Sequence, residues 1–347
     1  MRSLQALGLF ILATVVATVS GYRLSISEDR IRSEQCGRVM QSKILNGTIH
    51  HGRDIPWLVQ IRHPRYGHKA LKYHSGFMIS ERHVVTVSDV LLDYNHGSNT
   101  IQQTFNWMRN KTAPGPDMKT CVDRTLKAPE FVLQNITVHS CVGVSFGDNC
   151  QKETPLPIVS AHYIGNCNTS KISYGLTVLE LATPIKSVTP VCVPNHRIDR
   201  FGDEVEVFGT GWNSEKNTTS VISSSKTQLA KCRNDQEQSD LSICTVQTNS
   251  CWWDDGGPIQ KTVNGQKYAI GAIWSRACLT TSNKQVSVAA LSSQICKVTG
   301  VCQSPLERTT TTTTTTTRKP TTTTTAAAKS KSRLVISKHF VLTKIAE

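Results

Sequence analysis

The 347-residue sequence has no apolar run long enough to favour a membrane span. The apolar run from Leu4 to Val19 follows Met1-Arg2 and ends at the small residues Ser20-Gly21. A short basic start, an apolar centre and small residues at the end are typical of a signal peptide, and the run is too short to favour a membrane span. An uncleaved anchor is the alternative. The pattern therefore predicts a secreted, extracellular protein from which residues 1–21 are removed.

Patterns that bind zinc or nucleic acid are also missing. There is no CxxC pair and no closely spaced Cys/His cluster, so we expect neither a metal nor a cofactor. The net charge is +14, but eight Lys/Arg and two Glu from Gln303 onward supply +6, and Arg2 leaves with the signal peptide. The remaining charge of +7 is dispersed and is not interleaved with aromatic residues, which excludes nucleic acid as a predicted partner.

Cysteines and glycosylation signals agree with an exported chain. An even number of cysteines in such a chain predicts a disulfide framework. The twelve cysteines are Cys36, Cys121, Cys141, Cys150, Cys167, Cys192, Cys232, Cys244, Cys251, Cys278, Cys296 and Cys302. Five Asn-x-Ser/Thr signals predict N-glycosylation, at Asn46, Asn110, Asn135, Asn168 and Asn217.

The stretch from Cys251 to Pro258 reads Cys-Trp-Trp-Asp-Asp-Gly-Gly-Pro. Paired glycines permit a tight turn with inward-facing backbone N–H groups. The stretch resembles the nucleophile loop of trypsin-like (chymotrypsin-fold, peptidase S1) serine proteases, which runs Cys, two residues, Asp-Ser-Gly-Gly-Pro. By this resemblance Asp255 occupies the position of the nucleophilic serine.

The other two triad positions differ from the family as well. Thr86-Val87-Ser88-Asp89-Val90 resembles the segment that ends in Thr-Ala-Ala-His-Cys, which puts Asp89 in place of the general-base histidine. Val90 replaces the adjacent cysteine of the family, and His74 occupies the position of that cysteine's disulfide partner. The segment Tyr174–Leu181 resembles the strand that carries the triad aspartate, whose position is Gly175.

The resemblance also implies an activation site and a substrate cleft. Cleavage after Lys43 would free the amine of Ile44 to pair with Asp254, while an ordinary Lys-Ile pair in a strand is the alternative. The specificity position is Asn249, which does not imply a preference for basic side chains. The tryptophans that the resemblance assigns to the cleft are Trp252, Trp253 and Trp274.

Three disulfides follow from the resemblance alone: Cys36–Cys192, Cys232–Cys244 and Cys251–Cys278. Cys296–Cys302 would close a short loop. From about residue 96 to 168 the chain is longer than the family usually is, which predicts a disulfide-stapled surface insertion. Its four cysteines allow three pairings, and the sequence leaves all three open.

The resemblance implies an all-β fold of two packed six-stranded antiparallel β-barrels with a short C-terminal helix near Ile295. The leader would span residues 22–43 and the trypsin-like domain residues 44–302. Residues 303–347 hold two unbroken threonine runs, which predict a disordered, mucin-like tail. The basic segment from Leu334 to Ile345 belongs to this tail, with a membrane-surface helix as the alternative.

The serine-protease mechanism needs a nucleophile, a base and an acid that orients the base. With Asp255, Asp89 and Gly175 at these positions, the sequence predicts an inactive homologue that binds extracellular proteins as a cofactor, decoy or recognition protein. An active hydrolase with an altered site and an extracellular structural or adhesion protein are the alternatives. If Asp89 faces Asp255, the two carboxylates would share a proton or bind calcium; two solvated acids are the ordinary alternative.

Overall fold

The computed structural model describes residues 21–38, 54–64, 71–95, 102–105, 121–142, 144, 150, 154–167, 175–213, 218–232, 240–246, 250, 254–274 and 282–302. Its α-helices are α1 Ile26–Gln35, α2 Glu130–Leu133 and α3 Ser292–Thr299. Its strands are β1 Leu58–Pro64, β2 Leu71–Met78, β3 His83–Val87, β4 Leu92–Asn95, β5 Gln102–Phe105, β6 Thr125–Lys127, β7 Thr137–Ser140, β8 Ile158–Gly165, β9 Gly175–Leu181, β10 Glu204–Asn213, β11 Thr218–Ala230, β12 Ser242–Val246, β13 Pro258–Val263, β14 Gln266–Ala272 and β15 Ser282–Ser287. The predicted tail, residues 303–347, lies outside the described residues.

The first sheet is antiparallel and has the strand order β6-β8-β9-β3-β2-β1-β7. Its central strands β3 and β9 are rich in β-branched and leucine residues, and every residue of both is buried. Such strands lie in the middle of a sheet that is covered on both faces. Val87, the last residue of β3, pairs with Leu176 of β9, and this pairing places the turn after β3 beside the beginning of β9.

The second sheet is a closed antiparallel barrel with the strand order β10-β11-β12-β15-β14-β13. The prediction of an all-β fold with two antiparallel sheets and a short C-terminal helix is confirmed. The barrel has the predicted six strands, whereas the first sheet has seven. The seventh strand, β7, pairs with β1, and two small strands, β4 and β5, pair only with each other among the described residues.

Part of the predicted surface insertion belongs to the first sheet. Strands β6, β7 and β8 all come from residues 96–168, and the four cysteines of that stretch are buried. The structure selects one of the three open pairings, Cys121–Cys167 with Cys141–Cys150. Cys121–Cys167 joins the residues that flank β6 and β8, and Cys141–Cys150 closes the loop after β7. The bounds of the surface insertion stay a prediction.

The leader contains a helix that the sequence analysis did not predict. Helix α1 begins at a capping box in which the Ser25 side chain accepts from the backbone N–H of Glu28 while the Glu28 side chain accepts from that of Ser25. Cys36, which follows the helix, is bonded to Cys192 as the resemblance implies. A buried ion pair between Asp29 and Arg32, 2.7 Å apart, fixes the inner face of the helix.

The remaining disulfides of the described residues are Cys232–Cys244 and Cys296–Cys302. Cys251 and Cys278 lie outside the described residues, so their pairing stays a prediction. No helix in the described part of the chain is both long enough and apolar enough to cross a bilayer.

Candidate functional site

The site centres on the turn from Asp254 to Gly257 that leads into β13. The carbonyl oxygen of Asp255 accepts a hydrogen bond of 2.8 Å from the backbone N–H of Ser75 in β2. Gly256 has a φ of +88°, and a Cβ at this position would lie 2.1 Å from both the Ser75 carbonyl oxygen and Thr86 Oγ1. The turn therefore requires glycine both for its backbone conformation and for its close approach to the first sheet.

A hydroxyl cluster below this turn links the two sheets. Ser75 Oγ accepts a hydrogen bond of 2.8 Å from the backbone N–H of Thr210 in β10, and its distance to Thr210 Oγ1 is 3.1 Å. Thr86 Oγ1 donates to the Ser75 carbonyl oxygen at 2.7 Å. All three residues are buried. The sequence analysis did not identify Ser75 as a site residue, because its partners lie in β3, β10 and the turn before β13.

Asp89 lies in the 3₁₀ turn Ser88–Val90 directly after β3, and only 5% of its surface is exposed. Its Oδ1 accepts a hydrogen bond of 3.2 Å from Nε1 of Trp274. Trp274 is 5% exposed, and its backbone N–H donates to the side chain of Gln285 at 2.6 Å. Trp274, which the resemblance assigned to the cleft, is therefore a buried donor to Asp89.

The residue before Trp274 is hydrogen-bonded to the glycines that follow Asp255. This residue, Ile273, accepts a hydrogen bond from the N–H of Gly256 and donates one to the carbonyl oxygen of Gly257, each at 2.8 Å. Asp255 is 3% exposed. Both acids are thus buried at the junction of the two sheets, and a proton or calcium ion shared between them stays a prediction.

Gly175 begins β9 and pairs with Gly165 of β8. A Cβ at position 175 would lie 2.5 Å from the carbonyl oxygen of Ile164 and 2.8 Å from Cε2 of Tyr163. The Tyr163 ring is fully buried, and burial raises the pKa of its hydroxyl. The position that the resemblance assigns to the triad acid therefore has no room for a side chain, because the Tyr163 ring covers the glycine pair.

Asp254 lies against the barrel. It is 8% exposed, and a Cβ at Gly209 would lie 2.3 Å from its Oδ1. Ser223 Oγ approaches the same oxygen at 3.5 Å, the long limit of a hydrogen bond. Its predicted ion-pair partner, Ile44, lies outside the described residues.

His74, at the position of the missing cysteine, is buried in β2 and stacks on His63 with the ring centroids 5.0 Å apart. Burial, His63 and Lys72 together hold the pKa of His74 well below its usual value. Val90 is also buried. An imidazole that is neutral at physiological pH and an aliphatic side chain therefore stand at the two positions of that disulfide.

Among the described residues, no group of three or more His, Cys, Asp or Glu is placed to hold a metal ion. Asn135 is exposed in the turn after α2, as a glycosylation site must be. The other predicted site residues lie outside the described residues: Lys43, Ile44, Asn46, Asn110, Asn168, Asn217, Asn249, Trp252 and Trp253.

Comparison with known proteins assigns the family. No curated protein matches the chain. The profile of one family, described as the nematode trypsin-6-like family, matches residues 6–302. This match covers the leader helix, both sheets and the turn that carries Asp255, which is well over half of the 347 residues. The chain therefore belongs to the nematode trypsin-6-like family.

Proposed function

We propose that this trypsin-like protease homologue is secreted, has no peptidase activity and acts by binding other extracellular proteins, as a cofactor, decoy or recognition protein. The observation that carries the proposal is the buried turn before β13, in which a carboxylate, Asp255, stands at the position that the sequence resemblance assigns to the nucleophile. A carboxylate has no hydroxyl proton to lose, so the acyl-enzyme of the serine mechanism does not form there.

The second observation concerns the base position. A general base must reach the proton that it removes. Asp89 Oδ1 already accepts the indole N–H of Trp274 in a site from which water is largely excluded. This bond fixes the carboxylate to the barrel and supports a structural role for Asp89 at the junction of the sheets.

The third observation concerns the acid position. Adding a carboxylate at Gly175 would displace either the backbone of β8 or the buried ring of Tyr163. The packing of the first sheet therefore disfavours an acid at position 175. We expect the triple variant Asp255→Ser, Asp89→His, Gly175→Asp to remain without activity.

Turnover of a broad peptide library tests the inactivity. The chain is secreted from eukaryotic cells and assayed before and after limited cleavage at Lys43, with an active trypsin-like protease as the positive control. We expect no turnover in either state, in the native chain and in the triple variant. Turnover by the native chain that disappears in Asp255→Ala would overturn the proposal and favour a hydrolase with an altered site.

The binding role needs a separate measurement. The secreted protein is titrated into an active trypsin-like protease with a protein substrate, with and without a protein inhibitor of that protease. A cofactor changes kcat/KM without the inhibitor, and a decoy restores activity only in its presence. A chain truncated after Cys302 serves as the control, because a structural protein placed by the threonine-rich tail would lose its function while a cofactor or decoy would keep it.

A further inference from the structure

Outside the site described above, Glu180 is a buried carboxylate in the first sheet. It lies in β9, and only 5% of its surface is exposed. Among the described residues, both groups that donate hydrogen bonds to it are uncharged. The Ser160 hydroxyl donates to Oε2 at 2.7 Å, and the backbone N–H of Tyr22 donates to Oε1 at 2.7 Å. A buried charge is costly unless a charge of opposite sign compensates it.

The N–H group that reaches Glu180 belongs to the residue directly after the predicted signal peptide. Signal peptides are cut behind small residues, and Val19-Ser20-Gly21 precedes Tyr22. Hydrolysis of the Gly21–Tyr22 bond adds one water, releases a carboxylate on Gly21 and leaves an amine on Tyr22. The nitrogen that is an uncharged amide before this cleavage is an ammonium group afterwards.

We propose that signal-peptide removal creates a partly buried ion pair between the α-ammonium group of Tyr22 and Glu180, which fixes the leader to the first sheet. The ammonium group has three N–H donors, whereas the amide has one. Gly21 now occupies the adjacent space, since a Cβ on it would lie 2.9 Å from Glu180 Oε2. Its departure frees that space beside the carboxylate.

Other contacts of Tyr22 place its nitrogen correctly for this pair. The Tyr22 carbonyl oxygen lies 3.0 Å from Nε2 of His83, which pairs with Glu180 across β3 and β9. The Tyr22 ring lies under the guanidinium of Arg82, 5.0 Å from the ring centroid. Its hydroxyl donates to Glu28 in α1. The residue is thus held on three sides, with its backbone nitrogen directed at Glu180.

The proposed ion pair has a consequence for the leader. Helix α1 is attached at its far end by Cys36–Cys192, and the ion pair would fix its near end. Cleavage after Lys43 would then leave α1 in place even when the disulfide is reduced. The leader is in this account a permanent part of the mature protein, with one side of α1 available to partners.

A four-protein comparison tests the ion pair. The full chain is secreted either with its native signal junction or with Gly-Ser inserted between Gly21 and Tyr22, each with Glu180 or with Glu180→Gln. Sequencing of the secreted native chain is expected to start at Tyr22. We expect Glu180→Gln to lower the Tm of the native-junction protein by at least about 4 °C and to change the extended protein much less.

A different first residue, or an equal effect of Glu180→Gln in both backgrounds, would overturn the proposal. If a variant fails to fold, amine reactivity of the unmodified protein decides instead. An acylating reagent at about pH 7 should modify the Tyr22 amine several-fold more slowly in the folded protein than in the denatured protein. Equal rates in the two states would contradict the ion pair.

Discussion

Replacing Gly256 with alanine should be among the most destabilising single changes in the protein. Gly256 has a φ of +88°, and a Cβ there would lie 2.1 Å from a backbone oxygen of β2 and from the hydroxyl of Thr86. The chain offers a matched control in Gly202. That glycine has a φ of +84°, and a Cβ on it would have no atom within 4 Å. Both substitutions introduce the same backbone strain, and only Gly256→Ala adds the steric overlap.

Left-handed backbone at a non-glycine residue costs roughly 1–2 kcal/mol, which we expect in full for Gly202→Ala. Overpacking adds typically about 1–3 kcal/mol, so Gly256→Ala should cost about 2–5 kcal/mol. The extra cost corresponds to a further fall in Tm of roughly 2–12 °C. Thermal unfolding followed by circular dichroism, with the disulfides intact, measures both variants against the native chain.

Equal Tm values for Gly256→Ala and Gly202→Ala would refute the reasoning, because they would mean that the turn before β13 does not pack against β2 and β3. A Gly256→Ala chain that fails to fold while Gly202→Ala is secreted normally agrees with it. Gly265→Ala provides a second control, since Gly265 has a φ of +77° and equally open surroundings.

Three further predictions concern other positions. Burial lowers the pKa of His83 and of His162 to about 4. Between this pH and their ordinary pKa of about 6.5, the unfolded state therefore binds more protons than the folded state. The contribution of these two neutral histidines to the free energy of unfolding should therefore be fully present above about pH 6.5. It should fall as the pH drops, by up to about 1.4 kcal/mol per pH unit for each histidine. Denaturant titrations that are flat from about pH 6.5 to about pH 5 would contradict this. Trp274→Phe removes the indole N–H that donates to Asp89 and should lower the free energy of unfolding, measured with urea, by about 1.5–3 kcal/mol. The reasoning fails if Trp274→Phe lowers it by the same amount in an Asp89→Ala background. Gly175→Ala should destabilise by about 1–3 kcal/mol through overpacking, and an unchanged Tm would show that the Tyr163 ring does not cover this position.

Local features of the structure were predictable from local sequence. The paired glycines Gly256-Gly257 predict the tight turn before β13. The β-branched run of β3 predicts a buried strand. Helix α1 was predictable too, because Ser25 and Glu28 have the spacing of a capping box. The sequence analysis overlooked that signal, since the leader is mostly polar.

Long-range features were not predictable in the same way. The bond between Asp89 and Trp274 joins residues 185 positions apart, and no spacing rule connects them. The pairing of Cys121 with Cys167 depends on the path of β6 and β8, which the sequence analysis had assigned to an insertion. The lack of space at Gly175 depends on the ring of Tyr163 in a neighbouring strand, which only the register of β8 and β9 reveals.

The most direct test of the central claim is labelling with a fluorophosphonate probe followed by intact mass measurement. The secreted protein is treated before and after cleavage at Lys43, with the new N-terminus at Ile44 confirmed by sequencing. The probe requires an activated serine, and Asp255 offers none. We predict no mass increase in either state, while an active trypsin-like protease in the same tube is labelled fully. A stoichiometric adduct on the cleaved protein would show an activated serine elsewhere in the chain and would contradict the account.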